Sequence, residues 1–232
     1  MDYKKNLIYF TGKGSTVLII CGGILAFLGV IPLALALGTK SGDTVPGSIV
    51  LFVIAVLLAS LGMKKWPVSD SEYDKAITDY LANFKSQALD KLGVDESEVN
   101  EVPPIVLGGY EFQDVDKAKE GTDGKWRSNI YKVVALFFSP NELHCYSLRF
   151  NTLRDAKNEE TDVFFYQDIV SASTSSLTIN TEVEGKKITV NPEAFKLTTK
   201  GGTSFTVNLR DAEYGKESVK AMRALLREKK QA

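Results

Sequence analysis

Residues 130–150 read IYKVVALFFSPNELHCYSLRF, and this stretch decides the class of fold. Two runs rich in β-branched and aromatic residues, Ile130–Phe138 and Glu142–Phe150, flank Ser139-Pro140-Asn141, a composition that turns the chain and predicts a β-hairpin. Working outward, Ile105–Phe112 is a short strand before it, with Gly108–Gly109 placed for a bend or a close backbone contact. Strands are expected after it at Val163–Gln167, Ile169–Ile179, Thr181–Val183, Lys187–Val190, Phe195–Thr199 and Ser204–Leu209. Lys200-Gly201-Gly202 marks a second hairpin turn, and Val219, Met222, Leu225 and Leu226 carry helical spacing within Ser218–Lys229. The order predicts an antiparallel sheet series closed by a C-terminal helix. Its expected core holds Phe137, Leu148, Phe164, Ile169, Phe195, Phe205, Val207, Leu209, Met222 and Leu225.

The segment ahead of the strands changes character twice. Ser69–Leu92 repeats Tyr73, Ile77, Tyr80, Leu81, Phe84, Ala88 and Leu92 at helical intervals. Ser69 or Ser71 is placed to cap its start, acidic residues occupy its first turn, and Gly93 stops it. The acidic, proline-containing VDESEVNEVPP that follows reads as a linker.

Further upstream charge disappears. Thr16–Leu37 is 22 residues without a charged side chain and Thr44–Met63 is 20 more, joined by the short GTKSGD. At about 1.5 Å per residue each run is long enough, as a helix, for a hydrocarbon core of about 30 Å. These runs predict a two-helix transmembrane hairpin. Lys4, Lys5 and Lys13 before the first run, with Lys64 and Lys65 after the second, place the N-terminus and the C-terminal domain in the cytoplasm of a cell-membrane protein. Lys64, Lys65 and Trp66 serve in this reading as membrane-interface anchors, and Gly22, Ala26, Gly29, Ala55 and Ala59 as a helix-packing face. The expected organisation is a membrane hairpin over 1–66, an amphipathic helix and linker over 67–104, and a β domain over 105–230.

The resulting order, and in particular KWRSNIYKVVALFFSPNELHCYSLRF, FFYQDIVSAS and FKLTTKGGTSFTVNLRD followed by ESVKAMRALLREKK, resembles the bacterial membrane-anchored pleckstrin-homology-like domain family. The resemblance covers roughly residues 105–230 and implies an antiparallel β barrel closed by a C-terminal helix. Basic residues around the first hairpin bind inositol phosphates in some such domains. The side chains so placed are Lys125, Arg127 and Lys132, which makes them candidate contacts for an anionic headgroup.

Composition excludes more chemistry than it suggests. Residues 1–66 carry six Lys or Arg against two Asp or Glu, leaving 22 basic and 27 acidic residues in the rest. A net charge of −5 there argues against a nucleic-acid partner, which requires many neutralised phosphates. Cys21, Cys145 and His144 make neither a disulfide framework nor a zinc set, and no cofactor motif is present. Glu142 and His144 are two apart on a strand and share a face, whereas His144 and Cys145 are adjacent and point oppositely, so no catalytic Cys–His pair forms. Asp155, Glu159, Glu160 and Asp162 read as an exposed acidic loop without calcium-loop spacing. The expectation is a non-enzyme: a membrane-anchored accessory or scaffold protein that recruits a membrane or cytoplasmic protein partner. Membrane lipids and self-association are further expected contacts. An anionic-lipid sensor is the alternative and a small hydrolase a distant one.

Overall fold

The computed structural model describes residues 1–12, 53, 67–99, 102–202 and 204–229. The chain divides into two compact units, residues 2–75 and residues 76–232.

In the first unit, Tyr3–Thr11 forms α1, capped by Asp2, whose side chain accepts from the Lys5 backbone N–H. The second helix, α2 (Asp70–Tyr80), of which Asp70–Lys75 belong to this unit and Ala76–Tyr80 to the second, begins where Ser69 and Glu72 satisfy each other: the Ser69 hydroxyl accepts from the Glu72 N–H, and the Glu72 carboxylate accepts from the Ser69 N–H. This reciprocal cap ties two otherwise orphaned donors, as the serine in the sequence implied. The ring of Tyr9 stacks on Tyr73 at 4.3 Å, and its hydroxyl donates to Asp70 at 2.8 Å. Lys5 meets Glu72 at 3.2 Å. Together with the Ser69 backbone N–H, the larger influence, Lys5 holds the Glu72 carboxyl below its ordinary range.

Among the described residues no helix is long and apolar enough to cross a membrane. Thr16–Leu37 and Thr44–Met63 lie outside the described residues except for Val53, which is helical and half exposed. The same holds for Gly22, Ala26, Gly29, Ala55, Ala59, Lys64, Lys65 and Trp66. The transmembrane hairpin, and the cell-membrane placement and cytoplasmic orientation read from it, are corrected accordingly. The physical reason is that an uncharged run fixes only the length a helix over it would have, so run length by itself does not establish a span.

The second unit holds the β domain. The expected single helix is broken at Leu81–Asn83, after which α3 (Phe84–Leu92) runs to Gly93, whose left-handed φ of 67° ends it. Among the described residues eleven strands follow: β1 (Ile105–Tyr110), β2 (Ala118–Glu120), β3 (Trp126–Ser128), β4 (Ile130–Phe138), β5 (Glu142–Asn151), β6 (Lys157–Phe165), β7 (Ile169–Ser176), β8 (Ile179–Val183), β9 (Lys186–Val190), β10 (Glu193–Thr199) and β11 (Ser204–Asn208). The final helix, α4, covers Ala212–Lys229.

These strands do not close into one barrel. They form a four-stranded sheet in the order β1-β4-β5-β6, a three-stranded sheet β11-β10-β7, and the separate hairpins β2-β3 and β8-β9. The pleckstrin-homology-like barrel is therefore corrected to open antiparallel sheets. Two local features interrupt the ladder. Between β6 and β7 the chain makes a 3-10 turn at Tyr166–Asp168, and where β1 meets the end of β11 the Arg210 N–H donates to the Gly108 carbonyl and the Asn208 side-chain amide to the Tyr110 carbonyl, each at 2.8 Å.

Strand alternation explains why β4 and β5 are apolar almost throughout. Val134, Leu136 and Phe138 on β4, with Leu143 and Cys145 on β5, join a core that includes Ile169, Phe195, Leu197, Val207, Val219, Met222 and Leu226. The intervening residues point the other way. There Phe84 of α3 packs on Tyr146 at 5.4 Å, Tyr80 on Phe150 at 4.7 Å, and Tyr131 against both Tyr110 and Phe150. Each face of this hairpin is buried, so its sequence reads as a continuous apolar run rather than a strict alternation. Phe137 and Leu148 are buried as expected, but on the α3 side rather than in the inter-sheet core.

Candidate functional site

The side chains expected to meet an anionic headgroup sit on different elements. Lys125 lies exposed in the β2–β3 turn. Arg127, on β3, is buried, and its guanidinium grips Asp123 with two hydrogen bonds of 2.9 Å, holding that carboxyl well below its usual range. Lys132 is on β4, opposite Gly109 and Arg149 in the ladder. The arginine best suited to a phosphate is thus engaged within its own hairpin.

The candidate catalytic groups are placed as their spacing required. His144 approaches Glu142 at 3.6 Å on one face of β5. Cys145 turns to the other face, where burial, followed by the nearby Asp162 carboxylate, pushes its thiol up to about 12. A thiol held protonated on the face opposite the imidazole has neither the charge nor the geometry of an activated nucleophile. The expected acidic loop is in part a strand: Glu159, Glu160 and Asp162 lie on β6, while Asp155 precedes it. β6 is exposed along most of its length as the outer strand of its sheet, so polar side chains suit it and the sequence offers no apolar alternation to reveal it. Lys91 of α3 reaches Glu159 at 2.8 Å, and Ser147 reaches Glu160 at 3.3 Å. Among the described residues, no group of three His, Cys, Asp or Glu side chains is arranged to hold a metal ion.

A concave site lies elsewhere. An open cleft of about 410 Å³ separates the proline segment before β1 from one flank of α4. Val102, Pro103, Pro104 and Ile105 make one wall, Phe138 the floor, and Tyr214, Glu217, Ser218, Ala221, Met222 and Leu225 the other wall. The helical residues recur at intervals of three and four, so they line one stripe of α4. Prolines keep the opposite wall extended and rigid, since their φ is fixed and the residue before a proline is pushed out of the helical region. Tyr214 is 46% exposed at the rim. Glu217 is the one charged side chain lining the cleft, and no ion-pair partner is seen for it among the described residues. Sequence reading placed the prolines in a linker and the helix in the core without seeing that they face each other. The signal available was the stripe Tyr214, Ala221 and Leu225, which continues the apolar surface of α4 beyond Val219, Met222 and Leu226.

No protein-family model, curated protein or solved structure matches this chain. The resemblance to pleckstrin-homology-like domains is therefore without support from comparison as well as from the open sheets. The membrane-anchored scaffold and the lipid sensor rested on a hairpin that no described helix supplies, and among the described residues no metal-holding group is present for a metal-dependent hydrolase.

Proposed function

We propose that the β domain is a non-catalytic binding module whose cleft takes a short segment of a partner protein, one that presents a large apolar side chain beside a Lys or Arg. The observation carrying this reading is the cleft between Pro103–Pro104 and α4, apolar along its walls and supplied with one carboxylate, Glu217. Its volume suits one or two large side chains, and a rim tyrosine with an apolar floor is the usual composition of an anchoring pocket. Glu217 supplies charge complementarity: a cation from the incoming segment would meet a carboxylate that is not already paired within the described structure. The buried, protonated Cys145 and the isolated His144–Glu142 pair support a binding role rather than a reaction.

Panning a random peptide library on the full chain tests the reading. Enriched peptides are expected to combine a large apolar residue with Lys or Arg. They should lose affinity about tenfold or more against Ala221→Arg, which fills the exposed wall and places a competing cation near Glu217. Circular dichroism should show that variant folded. Acidic enriched sequences, or binding indifferent to Ala221→Arg, would remove the cleft as the site.

A further inference from the structure

The opposite flank of α4 has a different chemistry. A second groove, of about 300 Å³, runs between α4 and β7 and is lined by Thr174, Lys216, Val219, Lys220, Arg223 and Arg227. Its four charged residues are all cations, at spacings of four, three and four along one face of the helix. Like charges three or four residues apart repel by a few tenths of a kcal/mol per pair, so a counter-anion in the groove relieves that repulsion. One carboxylate partly does so: Glu193 of β10 meets Lys216 at 3.2 Å. Lys220, Arg223 and Arg227 have no carboxylate partner among the described residues.

Arg223 is also held in place. Its Nε donates to the Ala172 carbonyl of β7 at 2.6 Å, which fixes the guanidinium against the strand and leaves its two terminal nitrogens to the groove. Arg227 leans back on the same turn, its Nε donating to the Arg223 carbonyl at 3.3 Å. Across the groove Thr174 of β7 completes the lining. From Lys216 to Arg227 the helix rises roughly 16 Å at about 1.5 Å per residue, too far for one small anion to touch both ends. The centre, Lys220 and Arg223 with Thr174, is the right scale for one tetrahedral oxyanion. It offers a planar fork, a point charge and a hydroxyl.

We infer that the α4–β7 groove binds a phosphoryl dianion, with Arg223 as the positioned fork, Lys220 as the second cation and Thr174 as the hydroxyl donor. The dianion could be carried by a small phosphate compound or by a phosphorylated side chain, since the groove recognises the group they share. This site is independent of the peptide cleft, which lies on the other flank of α4.

Calorimetry of the full chain with inorganic phosphate, phenyl phosphate and a phosphoserine peptide, each against its unphosphorylated or chloride control, tests the inference. Saturable binding of a phosphorylated probe is expected, weakening with added salt and falling about tenfold in Lys220→Ala and in Arg223→Gln. Lys220 makes no contact in the described structure that the fold needs, so Lys220→Ala remains informative if Arg223→Gln is unstable. Equal affinity for the small probes and the peptide identifies a free phosphate compound; preference for the peptide identifies a phosphorylated protein. Ala221→Arg, which blocks the cleft, should leave this binding in place, so the two sites fail separately. No saturable binding of any phosphorylated probe, or affinity unchanged in Lys220→Ala, overturns the assignment.

Discussion

Replacing Gly109 with alanine should pry apart the contact between β1 and β11. A methyl there would lie 2.4 Å from the Asn208 carbonyl oxygen, 2.7 Å from its carbon and 3.0 Å from the Arg210 nitrogen, all backbone atoms with no rotamer to yield. Restoring an ordinary contact of 3.4 Å moves the strands apart by about 1 Å. That displacement stretches the hydrogen bonds from Arg210 to Gly108 and from Asn208 to Tyr110, each now 2.8 Å, past useful length. Losing two bonds at about 0.5–1.5 kcal/mol each, with roughly 1–3 kcal/mol of overpacking, predicts a loss of about 2–6 kcal/mol. Gly215→Ala is the control. Its methyl would also meet an atom at 2.4 Å, but that atom is the Cδ1 end of the Leu209 side chain, which can rotate, and α4 gains about 1 kcal/mol of helix propensity. Urea titration in a Trp66→Phe background, with Trp126 as the remaining tryptophan, measures both. Hydrogen exchange over 102–112 and 204–211 localises the opening. A Gly109→Ala chain within about 1 kcal/mol of the parent, or no weaker than Gly215→Ala, would refute the reasoning.

Three further outcomes follow from single side chains. The Tyr146 hydroxyl is buried without a hydrogen-bond partner among the described residues, so Tyr146→Phe should raise the urea midpoint, by up to about 1 kcal/mol in stability; a clear decrease would show that the hydroxyl is satisfied. Asp123→Asn should cost about 1 kcal/mol, a modest figure because Asp123 is 40% exposed and its pairing with Arg127 is screened by water. The Asp123 carboxyl is depressed in the folded state, so the unfolded chain binds the extra proton. The pair's contribution is consequently full above the ordinary aspartate range, near pH 4, and is lost as pH falls below it; acid titrations of parent and variant should converge there. Cys145 should resist iodoacetamide at pH 8 in the native chain and react once denatured, as read by peptide mapping; native labelling at that position would contradict its burial and its raised thiol.

Local signals were legible where one segment satisfied its own requirements. The apolar runs on either side of Ser139-Pro140-Asn141 became β4 and β5, the Ser69 cap and Gly93 stop appeared as read, and Val219, Met222, Leu225 and Leu226 turned inward on α4. Strands lacking an apolar face were not legible: β2 and β3 are three residues each, and of β6 only the end, Val163–Phe165, fell within an expected strand while the rest hides behind exposed acids. Closure into a barrel was implied by a family resemblance in strand order, yet order does not specify whether first and last strands pair. That depends on the approach of β1 to β11 and on the turn that separates β6 from β7. The candidate sites show the same division. By itself the sequence determined which residues α4 carries and at what period, because helical spacing is a property of neighbouring residues. Only the tertiary structure decided that one flank of that helix faces Pro103–Pro104 and the other faces β7, because those partners lie far away along the chain and are brought there by packing.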